Sequence, residues 1–208
     1  MEDVLDVYCR PYDPRYPVVC LDESSKELRA DVQAPLPLEP GKPERIDDHY
    51  TRQGTANLFL ACEPLRGWRE IKVTQRRTKV DWAHFIHDLV DVHYPEAERI
   101  VLVMDNLNTH RPASLYEAFP PAEAKRMWDR LEIHYTPKHG SWLNIAECEF
   151  SVLSRQCTDR RFPHAQALQT AVAAWQDDRN AHTVTVDWRF TTDDARIRLK
   201  HLYPRIDD

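Results

Sequence analysis

Ile100-Val101-Leu102-Val103-Met104-Asp105-Asn106 decides how this chain folds. It is the most apolar run of the sequence, it is short, and it ends abruptly in a carboxylate. Near-continuous hydrophobicity over five residues predicts a central strand covered on both faces, because a strand with one wet face would alternate. Such a strand needs helices above and below it, and the flanking sequence supplies them. Upstream, Trp82, Phe85, Ile86, Leu89 and Val90 recur at helical spacing and stop before Pro95. Downstream, residues 113–131 read as helix interrupted near Pro120-Pro121, followed by a short strand, Glu132 to Tyr135. A loop from Pro137 to Ser141 leads into a helix from Trp142 to about Cys157, a further helix from Ala165 to Asp178, and a tail with helix expected from Asp193 to Leu202.

The N-terminal part carries the remaining strands. Val18 to Leu21 is a short buried run ending at Asp22-Glu23, with Glu27 to Val32 as its expected hairpin partner. Pro35 to Pro43 reads as a surface loop. Ala56 to Cys62 and, after a turn at Arg66-Gly67, Trp68 to Thr74 are two more strands. Residues 1–15 read as an irregular lead-in, with Arg10-Pro11-Tyr12-Asp13-Pro14 rich in turn formers, and 16–208 as one domain. Strands first, then helix, strand, helix, strand, helix, describe an α/β fold with a mixed sheet flanked by helices.

Composition narrows the function classes. With 208 residues and 42% hydrophobic content the chain buries a sizeable core, and 30% charged residues give it a polar surface. Four glycines against 15 prolines argue against a glycine-rich phosphate loop. No apolar run approaches the roughly 18 residues of a membrane span, and Met1-Glu2-Asp3 is no signal peptide, so the expected location is the cytoplasm, on the nucleoid when bound to DNA. Cys9, Cys20, Cys62, Cys148 and Cys157 form no CxxC pair; the expectation is reduced, mostly buried thiols. The net charge of −6 argues weakly against nucleic acid, but charge is unevenly spread: between Arg66 and Lys79 six basic residues stand against Glu70 alone. A second basic group is Arg155, Arg160 and Arg161.

The chemistry lies in the acids. Two apolar strands run into a carboxylate, Asp22 and Asp105, and strand ends in open α/β sheets meet in the crevice where ligands bind. A third acid on the helix after Trp142 completes a hard-oxygen set suited to Mg²⁺ or Mn²⁺. Two such ions about 3.5–4 Å apart activate water and stabilise a leaving oxygen in phosphodiester cleavage. On spacing alone, a carboxylate after a strand is equally consistent with a turn residue or a helix cap. Periodicity also leaves the third acid open: Leu143, Ala146, Phe150 and Leu153 define the apolar face, with Glu147 and Glu149 near its opposite edges.

Val103-Met104-Asp105-Asn106-Leu107-Asn108-Thr109-His110 and Tyr135-Thr136-Pro137-Lys138-His139-Gly140-Ser141-Trp142-Leu143-Asn144-Ile145-Ala146-Glu147 together resemble the bacterial insertion-sequence branch of mariner-like DDE transposases. Val19-Cys20-Leu21-Asp22-Glu23-Ser24 resembles that family's first catalytic strand, so the resemblance runs from about Tyr16 to Arg161. It implies an RNase H-like fold, as in retroviral integrases. It assigns Asp22, Asp105 and Glu147 as the catalytic, metal-holding acids, and it favours Glu147 over Glu149. Glu147 follows Asp105 by 42 positions, longer than is usual in the superfamily; the Pro120-Pro121 region absorbs the extra length. The implied reaction is cleavage at transposon ends with two Mg²⁺ or Mn²⁺ ions, then attack of the freed 3′-OH on target DNA, typically at TA dinucleotides. Only about fifteen residues precede the first strand, too few for the helix-turn-helix such enzymes usually carry. The expected partners are therefore DNA and either a second copy of the chain or a separate helix-turn-helix protein or reading frame.

Other residues take roles within that frame. Arg76, Arg77 and Lys79 are the foremost phosphate-contact candidates, with Lys138 and His139 beside the catalytic helix. Asn106, His110 and Asn144 are candidates to support the metal-bound carboxylates, although Asn144 also reads as a plain helix-surface amide. Trp142 reads as a core aromatic at a helix start, with base stacking as its other possible use. Two other functions compete with the transposase: a stand-alone RNase H-like nuclease, and a truncated, non-catalytic regulator that pairs with full-length transposase. Inverted repeats in the DNA flanking the gene would separate them.

Overall fold

The computed structural model describes residues 1–33, 39–42, 47–138 and 140–203. Five strands form one sheet: β1 (Val18–Asp31), β2 (Tyr50–Glu63), β3 (Trp68–Thr74), β4 (Ile100–Met104) and β5 (Leu131–Tyr135). Their order is β3-β2-β1-β4-β5. β1–β2 and β2–β3 are antiparallel, whereas β1–β4 and β4–β5 are parallel. This is the mixed, helix-flanked α/β sheet expected.

The central run behaves as its composition dictates. All five residues of β4 are buried, because helices cover both faces. Val101 and Val103 point to one side, with Cys20, Leu60 and Cys62, against α1 (Glu2–Tyr8), α5 (Ile145–Leu153), α6 (Ala165–Ala181) and α7 (Thr192–Arg198). Leu102 and Met104 point to the other, with Leu21 and Phe59, against α2 (Lys79–Asp88), α3 (Pro112–Ala118) and α4 (Pro121–Asp129). Local signals set the boundaries. Thr78 and Asp81 form a reciprocal cap at the start of α2. Pro112 and Pro121 occupy first-turn positions, where a missing N–H costs nothing. Gly67, at φ +69°, turns β2 into β3, and a Cβ there would stand 2.6 Å from the Thr183 carbonyl carbon.

Three expectations are corrected. Val18–Leu21 and Glu27–Val32 are not the two arms of a hairpin. All but Val32 lie in one 14-residue strand, and Asp22 sits inside it rather than at its end. The polar stretch stays extended because β2 pairs with it from Cys20 to Asp31, while β4 pairs only with Val18 to Cys20. Secondly, residues 1–15 are not wholly irregular. Val4, Leu5 and Val7 of α1 are buried in the core, and Glu2 is ion-paired to Arg196 of α7 at 2.8 Å. Thirdly, the helix expected from Trp142 to Cys157 is broken at Asn144, where a single 3₁₀ turn (Ser141–Leu143) gives way to α5. Part of the expected Pro35–Pro43 loop lies outside the described residues.

Candidate active site

The parallel register between β1 and β4 builds the site. Cys20 lies beside Val103. Two residues further on, on the same face, come Asp22 and Asp105. β4 ends at Met104, so Asp105 leaves the sheet where β1 continues, and a notch opens between them. Asn144 brings the third element to this notch. Its side chain caps α5 by accepting from Ala146 N at 3.1 Å, and its amide donates to the Leu21 carbonyl at 2.9 Å. Asn144 is buried; it is no helix-surface amide but the pin between α5 and the residue preceding Asp22. Tyr8 adds a second pin, donating to the Leu143 carbonyl at 2.7 Å.

Helix geometry then separates the two glutamates. Glu147, in the first turn of α5, is exposed and faces the notch. Glu149 is buried on the sheet side, 3.2 Å from Arg69 Nε and 3.0 Å from Arg179 Nη2. Of the two, only Glu147 lines the cavity. The cavity so formed, about 570 Å³, is lined by Asp22, Asp105, Glu147, Asn106, Leu107, Thr136, Pro137, Lys138, Ser141 and Asn144.

Like charges crowd its lining. Burial pushes the Asp22 carboxyl up to about 7, and the nearby charges of Glu147, Asp105 and Glu23 push the same way against the Glu23 N–H that donates to it. Among the described residues neither Asp22 nor Glu147 has a cationic side-chain partner. Three hard-oxygen donors facing one cavity fit divalent cations chemically. No three His, Cys, Asp or Glu groups among the described residues stand close enough to enclose an ion by themselves.

Asp105 has a basic neighbour below the notch. His110 Nδ1 lies 2.8 Å from Asp105 Oδ1 and 3.0 Å from the Asp105 carbonyl oxygen, and it is aligned with the carbonyl. Its Nε2 is 2.9 Å from Glu23 Oε1. Burial opposes charging this ring, but the hydrogen bonds to Asp105 and Glu23 outweigh it and push its pKa up to about 9.

The sequence-derived DNA contacts divide. Lys138 lines the cavity, and His139 lies outside the described residues. Arg76 and Arg77 are exposed between β3 and α2 and do not line the cavity. Lys79 is paired with Glu117 at 2.8 Å. The basic stretch from Arg66 to Lys79 is not one solvated face: Arg66 pairs with Glu63, Arg69 is buried and Lys72 pairs with Asp88. Trp142 is 43% exposed and meets Phe190 edge-on at 5.8 Å, so it is not a core residue. Of the cysteines, only Cys20 and Cys62 are buried. A larger hollow, about 770 Å³, lies at the far end of the β1–β2 ribbon. Its Arg29 and Arg161 are paired with Glu27 and Asp31. Glu23 and Tyr8 escaped sequence reasoning: Glu23 lies in the first-strand segment beside Asp22 with nothing to mark it out, and Tyr8 lies in no motif.

Comparison with known proteins gives the same fold. The family model for DDE superfamily endonucleases matches residues 17–169. Among solved structures, the Mos1 strand transfer complex is 12% identical with a TM-score of 0.57, covering 87% of this chain and 55% of that one. The Mos1 mariner paired-end complex with Mn is 13% identical at 0.53, covering 82% and 53%. The Mos1 paired-end complex with the left transposon end is 13% identical at 0.53, covering 81% and 52%. At these identities the likeness is one of fold, and the chain spans about half the length of the Mos1 chains. No curated protein sequence matches. Among the described residues no helix is long and apolar enough to cross a membrane.

Proposed function

Because the chain belongs to the DDE superfamily endonucleases, we propose that it is the catalytic part of a mariner-like transposase of the bacterial insertion-sequence branch. In this reading it cuts phosphodiester bonds at the ends of its element and joins the freed 3′-OH to target DNA, with TA dinucleotides as the expected target. The observation that carries the reading is the convergence of Asp22 from β1, Asp105 from the end of β4 and Glu147 from α5 on one cavity. Two Mg²⁺ or Mn²⁺ ions held there would supply a water nucleophile at neutral pH and charge stabilisation for the leaving oxygen.

The chain's own residues prepare that chemistry. Asp22 and Asp105 face the notch as neighbours because the β1–β4 register fixes them. Glu147 is brought to them by the α5 N-terminus, which Asn144 ties to Leu21. Lys138 at the rim meets a phosphate that enters. Arg76 and Arg77, further out, contact backbone phosphates of the same duplex. Residues 16–208 constitute the catalytic domain, completed on one face by α1. On DNA the chain acts as a pair, with a second copy of itself or with a helix-turn-helix protein.

The test uses a labelled duplex carrying the inverted repeats that flank the gene, with the helix-turn-helix partner supplied in trans and Mn²⁺ present. Wild type is expected to release a 3′-OH at the element end and then to produce strand-transfer products. Asp22→Asn, Asp105→Asn and Glu147→Gln are each expected to be inactive while folded. Cleavage without strand transfer would favour a stand-alone nuclease; undiminished cleavage by Glu147→Gln would remove it from the site.

A further inference from the structure

Glu23 has no part in the chemistry just proposed, yet its side chain is only 3% exposed. It follows Asp22 in β1, and strand alternation sends the two carboxylates to opposite faces of the sheet. Asp22 faces the cavity with α5. Glu23 lies on the side of Trp82 and α2, where His110 is fully buried with its ring centroid 5.5 Å from that of Trp82. Glu23 Oε1 and His110 Nε2 are 2.9 Å apart, and the other ring nitrogen is 2.8 Å from Asp105 Oδ1. The backbone that carries the ring is held as well. Tyr135 donates to the His110 carbonyl at 2.9 Å, and Ser114 donates to the Thr109 carbonyl at 2.6 Å.

Burying a glutamate and a histidine costs free energy unless each is paired. Here the pairing is directed at one of the three acids of the cavity. Asp105 stands just past the end of β4, where nothing in the sheet sets its side-chain torsions. A rigid, buried imidazole does: its Nδ1 donates to the Asp105 carbonyl at 3.0 Å and lies 2.8 Å from Oδ1, an ion-pair contact to a buried oxygen that has no hydrogen bond of its own. We infer that Glu23 and His110 are positioning residues: Glu23 aims the His110 ring, the ring holds the Asp105 carboxylate toward Asp22, and the pair thereby sets the affinity of the site for divalent cation. The inference rests on the reading of Asp22, Asp105 and Glu147 as the cation site.

The experiment is a titration of Mn²⁺ into the full chain in the presence of duplex DNA, followed by the EPR signal of free Mn²⁺, with thermal unfolding recorded for every variant. His110→Gln places an amide nitrogen near the position of Nε2; it keeps the contact to Glu23 and releases Asp105. His110→Asn places one near Nδ1; it keeps the contact to Asp105 and releases Glu23. His110→Gln is expected to raise the half-saturating Mn²⁺ concentration about 10–100-fold, the usual size of an outer-contact loss at a metal site, and His110→Asn by much less. Glu23→Gln, which leaves the imidazole in place, is expected to raise it by about two- to tenfold, and Glu23→Gln with His110→Gln no further than His110→Gln alone, since the two act in series. A folded His110→Gln within twofold of wild type would overturn the inference, as would equal losses for His110→Asn and His110→Gln, which would mark the ring as packing only. If His110→Gln does not fold, Glu23→Gln decides: Mn²⁺ affinity equal to wild type overturns the proposal. No saturable binding by wild type would instead overturn the cation site beneath it.

Discussion

Glu147 and Glu149 lie two residues apart on one short helix, and the structure gives their removal opposite consequences. Glu149 is 2% exposed and sits between two guanidinium groups: Arg179 Nη2 donates to its two oxygens at 3.0 and 3.3 Å, and Arg69 Nε lies at 3.2 Å. Arg69 is itself 1% exposed. It retains bonds to the Gly67 and Val184 carbonyls, but no other carboxylate within reach neutralises it among the described residues. Glu149→Gln keeps the volume and removes the charge, leaving two arginines facing each other in a dry pocket. Breaking a buried pair from one side costs about 3–5 kcal/mol. At roughly 2–4 °C per kcal/mol for a chain of this size, Tm should fall by about 6–20 °C. Glu147→Gln removes an exposed carboxylate with no partner among the described residues, and its effect should stay within about 0.5 kcal/mol, a shift below about 2 °C. Circular dichroism melts of both variants in the same metal-free buffer measure this. A Glu149→Gln Tm within 2 °C of wild type, beside a strongly destabilised Glu147→Gln, would refute the orientation of α5 and with it the choice of Glu147.

Asn144→Ala removes a helix cap and a buried bond to the Leu21 carbonyl; it should cost about 1–3 kcal/mol in chemical denaturation and reduce Mn²⁺-dependent cleavage more than the stability loss explains. The folded Asp22 carboxyl titrates near 7 against about 3.9 when unfolded, so between pH 4 and 7 the native state holds a proton the unfolded chain has released. Metal-free stability should therefore fall as pH rises through that window, by roughly 1–4 kcal/mol, and Asp22→Asn should flatten the curve; an unchanged slope in that variant would show that Asp22 is not the titrating group. Arg76→Ala with Arg77→Ala should weaken DNA binding about equally for all sequences and reduce the slope of log affinity against log salt by about 2; an unchanged slope would leave both arginines as solvent-exposed surface.

Much of this architecture is legible in the sequence because single segments dictate it. The five residues of β4 have nowhere to go but the middle of a sheet, and Pro120-Pro121 divides a helical stretch wherever it is placed. Asp105 follows from β4 directly. What escaped depends on partners distant in the chain. Ser24 to Glu27 carries no apolar residue, and only pairing with β2 joins it and the strand expected from Glu27 onward into β1. α1 is seven residues long and too short to announce itself; it is held by burial of Val4, Leu5 and Val7 and by contacts to α7. Arg69 looked like one of a basic run, and its burial is understood only once Glu149 and Arg179 are seen beside it. Asn144 and Glu149 share one lesson: a polar residue on a helix reads as surface unless its partner across the fold is known. The motif resemblance placed Glu147, and helix periodicity by itself did not.

The central claim is that Asp22, Asp105 and Glu147 together hold the ions that act on DNA. The most direct measurement is anomalous diffraction at the manganese edge from crystals of the chain grown with a duplex and soaked in Mn²⁺. Anomalous peaks are expected in the cavity, with oxygens of all three side chains and a DNA phosphate within about 2.0–2.3 Å of manganese. Peaks that leave Glu147 unligated, or ordered manganese confined to sites away from the cavity, would contradict the claim.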